Sequence, residues 1–181
     1  MYNTIPYIPV TFLGYVNNTL PSVFKKLEIG STWKEKVNNL TQALLELPEA
    51  NVQTIHEFKD GFYYRTITVP ANTVLTGAEH KTPYKVIVKK GSISVNTEDG
   101  IKKITAPAEM DVAVGMERVG LTYLEEVVWT DVYVNEDNCK DLSVLEDRLY
   151  VIPECGLYDS RKRLEHKKAD LIQGEIKECQ E

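Results

Sequence analysis

Residues 77–91 read GAEHKTPYKVIVKKG, and residues 107–118 read PAEMDVAVGMER. Between and within these stretches, short apolar runs alternate with turn residues: Val86–Val88, Gly91, Ile93 and Val95, Asp99-Gly100, then Ile101–Thr105. Asp-Gly between two alternating runs is a strong indication of a tight β-hairpin. This part of the chain is therefore predicted to form short antiparallel strands joined by turns.

Two longer segments of the same character lie on either side. Phe62–Val69 alternates in polarity and is rich in aromatic and β-branched residues, and Val127–Val134 has a similar pattern. Several short strands with turn residues between them are typical of an all-β barrel or sandwich. We therefore expect one β domain spanning residues 52–137.

The flanking segments have helical patterns. Within residues 1–51, a proline-containing arm is followed by Ser31 or Thr32, either of which can cap a helix beginning near Trp33. Within residues 138–181, Asp141 precedes an amphipathic helix of about three turns, and a last helix is predicted over 161–178. The chain is thus divided into an N-terminal arm and helix (1–51), the barrel (52–137) and a C-terminal helical extension (138–181).

The two quoted stretches resemble the paired motifs of the cupin superfamily. If the first motif ends at Gly91, its metal-ligand positions fall on Ala78, His80 and Tyr84; if the second is anchored on Gly115, its histidine position falls on Arg118. The resemblance implies a jelly-roll β-barrel with a pocket. Of four ligand positions only His80 carries a metal-binding side chain of the family, so we expect neither a metal nor another cofactor.

A second resemblance is to small cupin-domain proteins encoded by tailed bacteriophages, and it covers roughly Tyr63 to Tyr150. The residues that carry it are Tyr63, Arg65 and Pro70, His80-Lys-Thr, Thr97-Glu-Asp-Gly100, Thr105-Ala-Pro107, Glu117-Arg-Val-Gly120 and the acidic, leucine-containing helix that follows. It implies a phage origin, without an assigned activity.

Arginines are the most informative candidate site residues. Arg65 shares a strand face with Tyr63, Ile67 and Val69, and the cupin register directs Arg118 into the barrel. A buried guanidinium needs a carboxylate partner or an anionic ligand. One interpretation is a ligand pocket made by the candidate residues Tyr63, Arg65, His80, Tyr84 and Arg118. The alternative is that the arginines form structural ion pairs with Glu79, Glu109 or Glu125.

Charge is unevenly distributed along the chain. The 181 residues carry a net charge of −6, yet His56 to Thr105 holds eight Lys or Arg against five Asp or Glu. This basic segment suits an anionic ligand or partner, and the more ordinary explanation is that its lysines lie on solvated strand faces and edges. The acidic total argues against nucleic-acid binding. No apolar run long enough for a membrane helix occurs, and three widely spaced cysteines suit a reducing compartment. A cytoplasmic location, the host cytoplasm for a phage protein, is expected.

Three functions remain open from the sequence. The first is a non-enzymatic, metal-free binding module for a small anionic molecule, for example a nucleotide-like or phosphorylated ligand, or for a host protein. The second is a metal-dependent or epimerase-like cupin enzyme, although no catalytic residue is identified. The third is a structural or assembly accessory of the virion. A homodimer or larger homo-oligomer is expected, because the apolar stripe of the Trp33 helix needs covering and cupins commonly pair.

Overall fold

A computed structural model describes residues 28–45, 47 and 50–151, together with the backbone of residues 10–15. This part contains ten strands: β1 Val10–Tyr15, β2 Gln53–Lys59, β3 Phe62–Val69, β4 Thr73–Gly77, β5 Tyr84–Lys90, β6 Ser92–Thr97, β7 Gly100–Thr105, β8 Ala108–Val112, β9 Val119–Thr122 and β10 Val127–Val134. It also contains two helices, α1 Trp33–Leu45 and α2 Leu142–Leu149. The predicted helix over 161–178 lies outside the described residues.

The strands form two five-stranded antiparallel sheets. Sheet A has the order β1-β4-β9-β6-β7, and sheet B has the order β2-β3-β10-β5-β8. The eight strands β3 to β10 pass between the sheets in the winding of a jelly roll, and β1 and β2 each add an edge strand. The protein is therefore mainly β with a cupin-type jelly-roll barrel, which confirms the predicted fold class.

Alternation along the two longest strands of sheet B builds the barrel interior. On β3 the inward side chains are Tyr63, Arg65, Ile67 and Val69, and on β10 they are Val127, Trp129, Asp131 and Tyr133. These strands are register partners, so that Arg65 lies opposite Asp131 and Tyr63 opposite Tyr133. Directly opposed side chains on one face of a sheet are in contact distance. The interior of sheet B therefore mixes apolar and charged residues along a single line.

Glycines anchor both motifs. Gly91, at the turn between β5 and β6, has φ +81°, and a Cβ there would lie 2.3 Å from the carbonyl oxygen of Glu126. Gly115, before β9, has φ +80° but open space around it. Both positions need a residue that tolerates positive φ, and Gly91 needs the absence of a side chain as well.

Helix α1 begins where the sequence predicts and packs on the outside of the barrel. The Oγ1 atom of Thr32 accepts a hydrogen bond from the Glu35 amide, while Glu35 Oε2 accepts one from the Thr32 amide, both at 3.2 Å. This reciprocal arrangement is a capping box. The apolar stripe is buried against the outer face of sheet A: Val37, Leu40 and Leu44 form a cluster with Val74 and Val119. The barrel of the same chain therefore covers the stripe that motivated the expected homo-oligomer.

Helix α2 closes one end of the barrel. The side chain of Asp141 accepts hydrogen bonds from the amides of Ser143 and Val144, and the helix ends after about two turns rather than the three expected. Leu145, Leu149 and the following Tyr150 are buried in the main core. Within the described residues, no helix has the length and apolar character to cross a membrane.

Candidate functional site

A cavity of about 50 Å³ lies inside the barrel, between the two sheets. Its walls are mostly apolar, with Ile67, Val69 and Leu75 among them. Five of its lining residues are titratable: Arg65, His80, Arg118, Asp131 and Tyr150. An apolar enclosure with a few convergent polar groups is the usual form of a small-molecule site.

Arg65 and Asp131 form an ion pair at the bottom of this enclosure. Arg65 Nη1 lies 3.4 Å from Asp131 Oδ2, and the two side chains are 1% and 6% exposed. The other carboxylate oxygen of Asp131 accepts a hydrogen bond from Trp129 Nε1 at 2.7 Å. The carboxylate is therefore well satisfied, because each of its oxygens has a donor.

The guanidinium of Arg65 is less well satisfied than its partner. Its Nε and Nη2 atoms are buried and have no hydrogen-bond partner among the described residues. A buried N–H group that lacks a partner costs about 1–3 kcal/mol, and more when the group is charged. Arg65 is one of the residues that line the cavity, so an acceptor that reaches these donors from the cavity would satisfy them.

Arg118 stands at the edge of the cavity. It is partly buried, its Nη2 donates to the hydroxyl of Tyr84, and its Cζ lies 5.3 Å from the ring centre of Tyr84 and 5.4 Å from that of Trp129. The two rings hold the guanidinium in place through cation–π contacts. No carboxylate within hydrogen-bond distance of Arg118 is found in the described part of the chain. Burial lowers the pKa of Arg118 from its usual value, but an arginine stays charged at neutral pH.

His80 belongs to a buried network of aromatic side chains. Its Nε2 lies 3.1 Å from the Tyr133 hydroxyl, which in turn lies 3.1 Å from the Tyr150 hydroxyl. Its ring is stacked on Tyr84, with ring centres 4.2 Å apart. Its Nδ1 has no partner of good hydrogen-bond geometry within the ranges that the structure describes.

Protonation within this network follows from burial. Desolvation, with smaller contributions from Arg118 and Arg65, holds the pKa of His80 well below its usual value. Desolvation also raises the pKa of Tyr133 and of Tyr150. The imidazole and both phenols are therefore neutral at pH 7, and the formal charges that line the cavity are those of Arg65, Arg118 and Asp131.

The five candidate residues fall into two groups in the structure. Arg65, His80 and Arg118 line the cavity, whereas Tyr63 and Tyr84 are buried beside it and do not line it. Tyr84 positions Arg118 and His80. The hydroxyl of Tyr63 lies 2.8 Å from Nδ1 of His56, and its ring is stacked on Tyr133. These two tyrosines thus hold other site residues in place and do not themselves line the cavity.

The carboxylate partners expected from the sequence are not the ones found. Glu79 pairs with Lys34 and Glu109 with Lys85, both at the surface, while Arg65 pairs with Asp131. Asp131 could have been identified from the alternation of Val127–Val134, which directs Trp129, Asp131 and Tyr133 to one face. The sequence does not reveal the strand register that places Asp131 opposite Arg65, because β3 and β10 are far apart in the chain.

Surface lysines account for part of the basic segment. Lys85 is paired with Glu109 and Asp111, Lys90 with Glu126, and Lys103 lies over the ring of Tyr123. These contacts support the interpretation that the lysines occupy solvated strand faces. The positive charges that line the interior cavity belong to Arg65 and Arg118.

The positions that correspond to metal ligands come together without suitable donors. Ala78 and His80 line the cavity, with Tyr84 stacked on His80 and Arg118 bonded to Tyr84. Among the residues that the structure describes, no group of three His, Cys, Asp or Glu side chains could hold a metal ion. A fixed guanidinium at the fourth position repels a cation. These side chains do not fit a divalent metal.

Neither a protein-family model nor a curated protein matches this sequence. Among solved structures, the chain is similar to a cupin domain from Bordetella pertussis, with 13% identity over 49% of this chain and 97% of that one, at a TM-score of 0.41. It is also similar to a cupin superfamily protein from Desulfitobacterium hafniense, with 10% identity over 51% of this chain and 84% of that one, at a TM-score of 0.41.

A third similar structure is the polyketide cyclase RemF from Streptomyces resistomycificus, with 17% identity over 47% of this chain and 66% of that one, at a TM-score of 0.39. Cupin-domain proteins recur among these neighbours, and their functions vary. Similarity at this level concerns only the fold, so function must be argued from the cavity and its residues.

Proposed function

We propose that the protein is a metal-free, non-enzymatic binding module that holds a small anion inside the barrel. The observation that carries the proposal is Arg65, which lines the cavity, is almost fully buried, is paired on one side with Asp131, and has two guanidinium nitrogens without a hydrogen-bond partner among the described residues. Buried donors in native proteins are generally satisfied by protein, water or ligand. An anion satisfies them with the additional strength of a charge-assisted hydrogen bond.

Charge and size narrow the class of ligand. The two arginines and Asp131 give the cavity lining a net charge of +1, which a monoanion neutralises. A dianion would leave an uncompensated negative charge in a poorly solvated interior. A cavity of about 50 Å³ holds a few non-hydrogen atoms, far less than the pockets of about 300 Å³ or more that hold larger ligands. A small monoanionic group is therefore favoured over a complete nucleotide.

Arg118→Met is the variant that tests this proposal. Arg118 has no carboxylate partner in the described part of the chain, so the variant is expected to fold, whereas Arg65 variants would leave Asp131 without its ion-pair partner. Thermal unfolding at constant ionic strength with formate, acetate, nitrate or phosphate should show stabilisation of the wild type by a monoanion. Loss of one charge-assisted hydrogen bond should weaken that binding roughly 10- to 150-fold.

Arg148→Met is the matched control, because it removes the same charge from the exposed Arg148–Asp137 pair on α2. Its anion affinity should equal that of the wild type. The proposal is overturned if no anion stabilises the wild type, or if both variants lose affinity equally.

The enzyme alternative has less support. An epimerase-like base would be a histidine hydrogen-bonded to a carboxylate, and His80 is instead bonded to Tyr133. We also propose a phage origin, a cytoplasmic location and a homo-oligomeric state. The phage origin rests on the resemblance of residues 63–150 to cupin-domain proteins of tailed bacteriophages. Capture of a host protein and an accessory role in the virion remain the alternatives to which a failed anion test would lead.

A further inference from the structure

A second concave region lies next to the anion cavity, at the mouth of the barrel. This mouth groove, of about 350 Å³, lies between β6 and β7 of sheet A and β8 of sheet B. Its floor is apolar and includes Ile104, Met110, Val112 and Met116. Methionine side chains adapt to ligands of different shape, which suits a floor that contacts an apolar molecule.

Arg118 connects the groove with the cavity. Arg118 and Val95 line both, so that the guanidinium lies at the boundary between the two spaces. A guanidinium carries five N–H donors, of which the Tyr84 hydroxyl takes one. A ligand atom bound to Arg118 from the cavity can therefore be continuous with ligand atoms that lie in the groove.

Charges at the rim of the groove restrict its occupant. Asp99, Lys102 and Asp111 lie at the rim and are exposed, and together they carry a net charge of −1. Exposed charges of this kind are partly screened by salt, but two carboxylates would still repel a second anionic group. The groove thus suits an apolar chain without a charge at its far end.

We infer that the ligand is an amphipathic monocarboxylate, whose carboxylate binds Arg118 and Arg65 in the cavity and whose alkyl chain lies on Met110 and Met116 in the mouth groove. This inference rests on the proposed anion function and specifies the chemical class of the ligand. One negative charge matches the +1 lining of the cavity, and an apolar tail matches the groove floor.

A homologous series of straight-chain carboxylates tests the inference. We would measure the affinities of acetate, butanoate, hexanoate and octanoate by calorimetry or by Trp129 fluorescence in a Trp33→Phe background. Trp129 lines the cavity and Trp33 lies on the outer face of sheet A. Affinity should rise about fourfold for each methylene added until the groove is filled, which corresponds to about 0.8 kcal/mol per buried methylene. Hexylamine and adipate, a dicarboxylate of similar length, should bind more weakly than hexanoate.

Met116→Gln and Met110→Gln provide the decisive comparison. Both side chains are partly exposed, so the variants should fold, and they should flatten the dependence on chain length by lowering octanoate affinity far more than acetate affinity. Leu124→Gln is the control, because Leu124 is 91% exposed and outside the groove. If acetate binds but longer chains bind no better, the inference is wrong while the anion proposal survives. If no carboxylate binds, the inference is wrong, and the anion proposal fails as well only if nitrate and phosphate also leave the wild type unstabilised.

Discussion

At the scale of single residues, the barrel interior is organised around a charge pair that a hydrophobic core would not need. Arg65 and Asp131 are register partners on β3 and β10, and both face the cavity. Two charges removed from water are tolerated only when their geometry and remaining hydrogen bonds are good. The second carboxylate oxygen of Asp131 accepts a hydrogen bond from Trp129 Nε1, whereas Nε and Nη2 of Arg65 have no acceptor among the described residues.

Replacing Asp131 by asparagine tests whether this pair maintains the fold. Asp131→Asn should leave Arg65 buried without a counter-charge and lower the free energy of unfolding by about 3–5 kcal/mol. Denaturant unfolding followed by tryptophan fluorescence would measure the loss. Asp137→Asn breaks the exposed pair with Arg148 and should cost far less, because solvent screens that pair. Equal costs for the two variants would mean that the buried pair contributes little.

Histidine protonation predicts a loss of stability in mild acid. Desolvation, assisted by Arg65, lowers the pKa of His56 from 6.5 to about 4, and the pKa of His80 is also lowered. The unfolded chain then binds protons below about pH 6.5 that the folded chain does not, so stability falls as pH falls from about 6.5 towards about 4. Each such proton contributes a slope of at most about 1.4 kcal/mol per pH unit.

Urea unfolding at several pH values would measure this slope in the wild type and in a His56→Gln/His80→Gln double variant. The slope between about pH 5 and pH 6.5 should be smaller in the variant. His80, the more buried of the two, should account for the larger part. An unchanged slope would show that carboxylates, rather than these imidazoles, govern stability in this range.

Sequence patterns predicted some of these residues better than others. Strand alternation correctly directed Arg65 inward, because period two fixes the face once the strand is recognised. No sequence pattern indicated that His56 is partly buried and contacts Tyr63, a contact that arises because β2 pairs with residues 62–68 of β3. Whether a side chain bounds the cavity or packs behind it, as Tyr63 does, depends on distances across the barrel that no local pattern contains.

At the scale of elements, the turn at Gly91 is more demanding than the turn at Gly115. The two residues have nearly equal φ values, but only Gly91 lies against a carbonyl oxygen. Gly115→Ala should therefore cost about 1–2 kcal/mol for positive φ alone. Gly91→Ala should cost more than about 3 kcal/mol, because the Glu126 backbone must also move. Paired denaturant titrations would test this difference, and equal costs would contradict it.

Local sequence signals predicted that the helices form, but only the structure shows which surfaces they pack against. Thr32 and Glu35 indicate where α1 begins, and the helical spacing of its apolar residues indicates that one face is buried. The sequence could not show that this face covers Val74 and Val119 on sheet A rather than a second subunit. Strands β4, β8 and β9 were not individually predicted, because four or five residues are too few to establish a period.

At the scale of the whole molecule, the expected homo-oligomer needs a different surface from the one first considered. The outer face of sheet B exposes apolar side chains: Ile55, Phe62 and Val134 are 58%, 40% and 64% exposed. If copies pair, this face offers apolar area that α1 does not. Light scattering coupled to size exclusion should give at least twice the chain mass of 20.6 kDa at micromolar concentration. A mass near 20.6 kDa would refute the expectation.

Strand β10 is the last strand of the barrel in sequence and the central strand of sheet B, where it pairs with both β3 and β5. During synthesis, β3 and β5 leave the ribosome long before the strand that must lie between them. The native partner of their facing edges is absent until residue 134 has emerged. The barrel is therefore completed only after β10 has emerged, so its earlier strands are without that central partner until then.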